Sequence, residues 1–266
     1  MNIYEELEKK KYDFLNKDDL SSKIILMTLG GSRAYGTNID GSDIDVRGIA
    51  LNTSREILLG EDFGQVVDEN TDTVIYSIQK YMGLLVKSNP SVLELLGTKS
   101  YIYLSETGQL LVANKTAFLS KQCAVTYGGF IRQIMNRVYK NSNENTKLGK
   151  EMMHIVRLYY TVFDILEKGQ LNIYRPENKE LLAIRKGKYI DPNTGRPTVE
   201  YTEMINQLEK RLQYAKENTS LPELPNKKYI EQLRYEINKS VVVGDLAREI
   251  NFKQIYQSTS NGRKIK

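Results

Sequence analysis

Thr28-Leu29-Gly30-Gly31-Ser32-Arg33-Ala34-Tyr35-Gly36, followed by Ser42-Asp43-Ile44-Asp45-Val46-Arg47-Gly48-Ile49, is the stretch that decides the fold of this chain. The apolar run Ile24 to Leu29 reads as a buried strand. It leads into a Gly-Ser turn that opens a short helix, an arrangement that presents backbone N–H groups to an anion. Asp43 to Leu51 reads as a second strand, with Asp43, Asp45 and Arg47 on one face and Ile44 and Val46 on the other. Two carboxylates on one face supply the hard oxygen ligands that Mg²⁺ requires. A phosphate cradle beside an acidic pair implies phosphoryl or nucleotidyl transfer.

Downstream, Asp72-Thr73-Val74-Ile75-Tyr76 reads as a third strand, β-branched and aromatic. Ser77 is placed to cap a helix over Ile78 to Lys87, and Asn89-Pro90 ends it. Ser91 is expected to cap the next helix, and Tyr101 to Leu104 to form a last short strand. Upstream, residues 3–20 are expected to form one helix packing Leu7 and Phe14. Residues 60–71 are acidic and read as irregular.

From about residue 120 the pattern changes to long helical periodicity. Leu148, Met152, Ile155, Val156, Tyr159 and Phe163 form an apolar stripe. Lys147, Lys150, His154 and Arg157 fall roughly opposite, within a stripe about 80° wide at about 100° per residue. Such a basic stripe can face the carboxylates across a cleft and hold a triphosphate or an RNA backbone; a solvated helix face is the competing account. Further helices are expected over Glu180 to Arg185, Tyr201 to Tyr214 and from Tyr229.

Charge supports two unequal halves. Residues 1–120 hold 12 Lys/Arg against 17 Asp/Glu, and residues 121–266 hold 26 against 16. A catalytic core over 1–120 and a helical substrate- and nucleotide-binding region over 121–266 are expected, the basic half suiting a polyanion. The 40% apolar content is enough for a core, and no run of about 18 apolar residues marks a membrane span. The single cysteine, Cys123, excludes an intrachain disulfide and a Cys-based zinc site. The charged start, with Glu5, Glu6, Glu8, Lys9, Lys10 and Lys11, is unlike a signal peptide. A cytoplasmic protein without membrane association is the expectation.

The combination of Gly31-Ser32, ten intervening residues, Asp43-x-Asp45 and a later strand-borne Asp72 resembles the polymerase-β-type nucleotidyltransferase superfamily. The fuller sequence Gly31-Ser32-Arg33-Ala34-Tyr35-Gly36 with Ser42-Asp43-Ile44-Asp45-Val46-Arg47-Gly48 is similar to a bacterial and phage family of predicted nucleotidyltransferases, some linked to RNA repair. The similarity continues in Lys87-Ser88-Asn89-Pro90-Ser91-Val92-Leu93-Glu94-Leu95-Leu96 and in Glu180-Leu181-Leu182-Ala183-Ile184-Arg185-Lys186-Gly187. The resemblance implies an α+β fold: a small mixed sheet with helices on one face, followed by a helical region. It implies Mg²⁺, with Mn²⁺ as an alternative, held by Asp43, Asp45 and Asp72, the last also a base or orienter for the acceptor. Gly31, Ser32, Arg33, Lys147, Lys150, His154 and Arg157 are the expected nucleotide-binding residues. The implied reaction moves an NMP from an NTP to an acceptor, an RNA 3′ hydroxyl above all. Nucleotidylation of a protein or small molecule, such as AMPylation, uses the same catalytic face. A non-catalytic nucleotide- or RNA-binding module is the third reading, opposed by the presence of all three carboxylates.

Overall fold

A computed structural model of the protein describes residues 3–16, 18–140 and 147–260. The chain opens with α1 (Ile3–Leu7), a 3₁₀ segment over Lys10–Asn16 and α2 (Asp18–Ser21). The single helix expected over residues 3–20 is thus broken into short pieces. A sheet core follows: β1 (Ile24–Leu29), α3 (Gly31–Tyr35), β2 (Val46–Ala50), α4 (Ser54–Leu59), β3 (Gln65–Asp68), β4 (Thr73–Ser77), α5 (Ile78–Val86), α6 (Pro90–Gly97), β5 (Tyr101–Leu104) and α7 (Glu106–Ala113). The remainder is helical: α8 (Gln122–Lys140), α9 (Leu148–Lys168), α10 (Asn178–Arg185), α11 (Val199–Asn218) and α12 (Lys227–Ser260). The expected α+β class, a small mixed sheet followed by a helical region, is what the chain adopts.

The five strands lie in the order β3-β4-β2-β1-β5. β1 is antiparallel to β2 and β5, and β3 to β4, whereas β2 and β4 run parallel. That parallel pair places Val46 opposite Thr73, so both strands start at the same edge, where β1 ends. Alternation along β2 serves both faces. Ile49 joins a large core with Leu26, α5, α6 and the helical region, while Val46 and Ala50 join Tyr12, Leu15, Ile24 and Ile75. The N-terminal segment thereby covers the face that the long helices leave open. The large core is continuous from Ile25 to Ile237, so sheet and helical region share one apolar interior.

Two local expectations change. Residues 65–68 form an edge strand rather than an irregular stretch, paired Gln65↔Tyr76 through Asp68↔Thr73. Asn89, not Ser91, caps α6: its side chain accepts from the Ser91 N–H at 3.0 Å, and Pro90 occupies the first helical turn, where it needs no N–H partner. Ser77 caps α5 as expected, accepting from Lys80 N–H.

Candidate active site

The glycine turn and the carboxylates are built as one unit. Gly30 enters α3 in an extended conformation with no side-chain cap, and its N–H donates to the Asp45 carbonyl at 2.8 Å. Gly31 has φ +54°, in the left-handed region, and a Cβ on it would overlap the Asp45 carboxylate. A carboxylate therefore occupies the space that any other residue at position 31 would fill. Arg33 does not reach toward this space. Its Nε donates to the Asp43 carbonyl at 3.2 Å and its guanidinium to the Ser42 carbonyl at 3.0 Å, which holds the Ser42–Asp43 loop against α3.

Asp43 and Asp45 precede β2 instead of lying within it, correcting the expected strand start. Asp45 and Asp72 each immediately precede a strand of the parallel pair, Val46 and Thr73 being opposite. Their carboxyl groups consequently meet. Burial first, and then the hydrogen bond and like charge of Asp72, push the Asp45 carboxyl up to about 6. Asp72 is held below the ordinary carboxylate range, chiefly because it accepts that hydrogen bond from Asp45. Asp72 sits at φ +45°, which Asp tolerates. The turn before it is braced by Asp68, whose carboxylate accepts from the Thr71 N–H at 2.9 Å and hydroxyl at 2.8 Å. Arg47 is committed to Asp72, with a 2.9 Å ion pair to the carboxylate and a second hydrogen bond to the carbonyl.

Asp43 stands apart from the touching pair and lines an open cavity of about 600 Å³ together with Asp72, Glu69, Arg33 and Lys11. Among the described residues no three His, Cys, Asp or Glu side chains converge as a metal site. The pair itself has the right chemistry for a hard divalent cation. Two carboxylates in contact need a proton or a cation between them, and Mg²⁺ is held by such oxygens.

The basic stripe divides. Lys147 and Lys150, at the start of α9, are exposed and line an open cleft of about 800 Å³ with Asp40, Arg185 and Lys186. Arg157 is turned inward and only 1% exposed. This corrects its place on a ligand-facing stripe: its NH1 donates to Glu94 at 2.7 Å and its guanidinium covers the Tyr35 ring. His154 is partly buried beside it, and its Nδ1 accepts from Arg157 Nε at 3.4 Å. Burial, then the Arg157 and Lys150 charges, keep its imidazole neutral, well below the usual histidine range. Tyr35 completes the network by donating its hydroxyl to Glu94 at 2.7 Å. Arg47, which the sequence places on the carboxylate face, pairs with a site carboxylate. Glu94 is the organiser that sequence reasoning undervalued, since a helix break and a capping interaction account for its segment, although that segment carries the family resemblance.

Residues 2–236 match the RNA repair pathway DNA polymerase beta family, RlaP. The chain belongs to that family. The RlaP match spans the whole sheet, Gly31, the carboxylate pair, α9 and α10, and ends within α12. Membership places the chain among polymerase β-like nucleotidyltransferases associated with RNA repair, as the motif resemblance implied. Among solved structures, a nucleotidyltransferase-like protein from Exiguobacterium sibiricum 255-15 aligns over 93% of this RlaP chain and 80% of its own, at 10% identity and a TM-score of 0.30. A search of curated proteins finds no match. Among the described residues no helix is long and apolar enough to cross a membrane.

Proposed function

We propose that the protein is a Mg²⁺-dependent nucleotidyltransferase that moves an NMP from an NTP to an RNA 3′ hydroxyl. The observation that carries this reading is the contact between Asp45 and Asp72 beside the open backbone of Gly31. Family membership supports RNA as the acceptor class.

Mg²⁺, when bound, would neutralise the triphosphate and the developing charge at the α-phosphorus. Asp45 and Asp72 would hold it, joined by Asp43 from the cavity wall. The backbone at Gly31 and the hydroxyl and N–H of Ser32 bind phosphate oxygens next to the carboxylates. Asp72 orients the acceptor hydroxyl and takes its proton. The 3′ oxygen forms a bond to the α-phosphorus as the bond to the β-phosphate bridging oxygen breaks, and pyrophosphate leaves. Arg47 keeps Asp72 in place, and Arg33 keeps the Asp43 loop in place. Positioning and charge neutralisation supply most of the rate.

The test is incubation with each labelled NTP, Mg²⁺ and a mixed RNA pool. Label should appear at RNA 3′ ends and vanish in Asp45→Ala and Asp72→Ala proteins. Label on protein hydroxyls with none on RNA would overturn the acceptor assignment. Transfer that persists unchanged in both variants would overturn the site.

A further inference from the structure

We propose that the open cleft between the Asn38–Asp40 loop, the first turn of α9 and the C-terminal end of α10 is the track for the sugar–phosphate backbone of a single-stranded RNA acceptor. This rests on the nucleotidyl-transfer reading for its role, but the binding claim is separable from it.

The cleft concentrates cations. Lys147 and Lys150 come from α9, Arg185 and Lys186 from the end of α10, and Asp40 is the one carboxylate lining it. The walls are fixed by packing. Gly149 faces the Arg185 carbonyl so closely that a Cβ would collide with it, which lets the two helix ends touch and brings their lysines to one opening. Arg185 also donates to the Thr37 carbonyl at 2.6 Å, tying the loop that forms the third wall to α10. The cations are therefore held together by three separate elements, unlike a solvated helix face.

The cleft also leads to the chemistry. Its loop wall, Asn38–Asp40, joins α3 to the Ser42–Asp43 segment that Arg33 holds against that helix. Lys147 stands about one helical turn from Lys150, and Lys186 lies at the end of a different helix, so the positive charge is spread along the cleft.

Its lining suits a strand. Ile39, 43% exposed, and Leu182 contribute apolar surface among the cations. The triphosphate group itself offers nothing for that surface to contact, and a lone NTP carries only one ribose and base. A nucleotide strand alternates phosphates with the less polar faces of ribose and base, and single-strand sites combine cationic and apolar contacts in this way. An open groove of about 800 Å³ admits a polymer passing through.

The experiment uses the full chain and a fluorescently labelled single-stranded RNA of about 12 nucleotides, titrated by anisotropy over a KCl series. Lys186→Ala, at an exposed position of the cleft, should weaken binding. The slope of log affinity against log salt should shrink by about 0.7, the value for one lost phosphate contact. Affinity for a non-hydrolysable NTP with Mg²⁺ should stay at the wild-type value, and the melting temperature should be unchanged. An unaltered RNA affinity and salt slope would overturn the proposal. So would a loss of NTP affinity with RNA binding intact, which would make the cleft a triphosphate site. If no transfer to RNA is detected while the salt slope falls as stated, the track stands and the catalytic reading fails.

Discussion

The Arg157 guanidinium lies over the Tyr35 ring, 3.6 Å from its centroid, and both side chains bond to Glu94. This joins the nucleotide-motif helix α3, helix α6 and the long helix α9 at one buried point. Breaking a buried ion pair from one side leaves the other charge unpaired. Arg157→Ala should therefore cost about 3–5 kcal/mol of stability. Tyr35→Phe keeps the stacking and loses one hydrogen bond to a charged group, about 1.5–3 kcal/mol. Urea unfolding of the two variants measures this. Wild-type stability in Arg157→Ala would show that the network holds nothing together.

Gly31→Ala combines a left-handed backbone with a collision against the Asp45 carboxylate. The strain alone is about 1–2 kcal/mol, small beside the effect on chemistry, because Asp45 must move. Transfer should fall by about 10²-fold or more, since an ångström-scale misplacement costs that much. Circular dichroism should show the fold retained. Full activity in this variant would mean that Asp45 is not held where its chemistry needs it.

Asp45→Asn and Asp72→Asn should separate stability from activity. Asp45→Asn removes the like charge of two carboxylates in contact, so its thermal unfolding in EDTA should occur at or above the wild-type temperature, whereas Asp72→Asn also gives up the Arg47 ion pair and should unfold below Asp45→Asn. Transfer should nevertheless drop by about 10²–10³-fold, the cost of removing one electrostatic group from a catalytic site. A stability loss in both variants, with activity intact, would make the pair a structural hydrogen bond.

Acid should loosen the region through Asp164. Burial pushes its carboxyl up, but hydrogen bonds from Lys168 at 2.7 Å, Arg175 at 2.7 Å and Asn172 at 3.3 Å outweigh this and hold it below the ordinary value. A depressed folded-state pKa gives stability that is present above the unfolded value, about 3.9, and lost as pH falls through the folded value. Because the Arg175 N–H also donates to the Tyr35 carbonyl at 3.1 Å, the loss reaches the catalytic turn. Unfolding free energy measured below about pH 4 should fall more steeply in the wild type than in Asp164→Asn. Parallel curves would remove Asp164 from the account.

Much of this was legible from residue order, for reasons particular to each element. β1 was marked by uninterrupted apolar residues, β4 by Thr73-Val74-Ile75-Tyr76, and α5 by the Ser77 cap. α4 and β3 escaped notice. α4 is six residues long with no buried side chain, and β3 is a four-residue edge strand with no fully buried residue, its exposed positions being Gln65 and Val67. Neither carries enough apolar periodicity to register. The inward turn of Arg157 was equally hidden, because a cation opposite an apolar stripe reads as solvated until its partner appears. That partner, Glu94, lies 63 residues away in sequence. The cleft cations on α10 were visible as residue types, but only the close approach at Gly149 brings them to Lys147 and Lys150.

The parallel pairing of Val46 with Thr73 sets the meeting of Asp45 and Asp72. The two carboxylates are joined by strand registry, while the segments entering the site are separate from it. Residues 38–41 can accordingly change composition without disturbing that registry, whereas the turn over 69–71 is fixed by the Asp68–Thr71 brace. A single-residue deletion inside β2 or β4 has the opposite effect, sliding one carboxylate past the other while leaving the entrance untouched. The shape of the entrance and the meeting of the carboxylates are thus encoded in different stretches of the chain and are free to diverge independently.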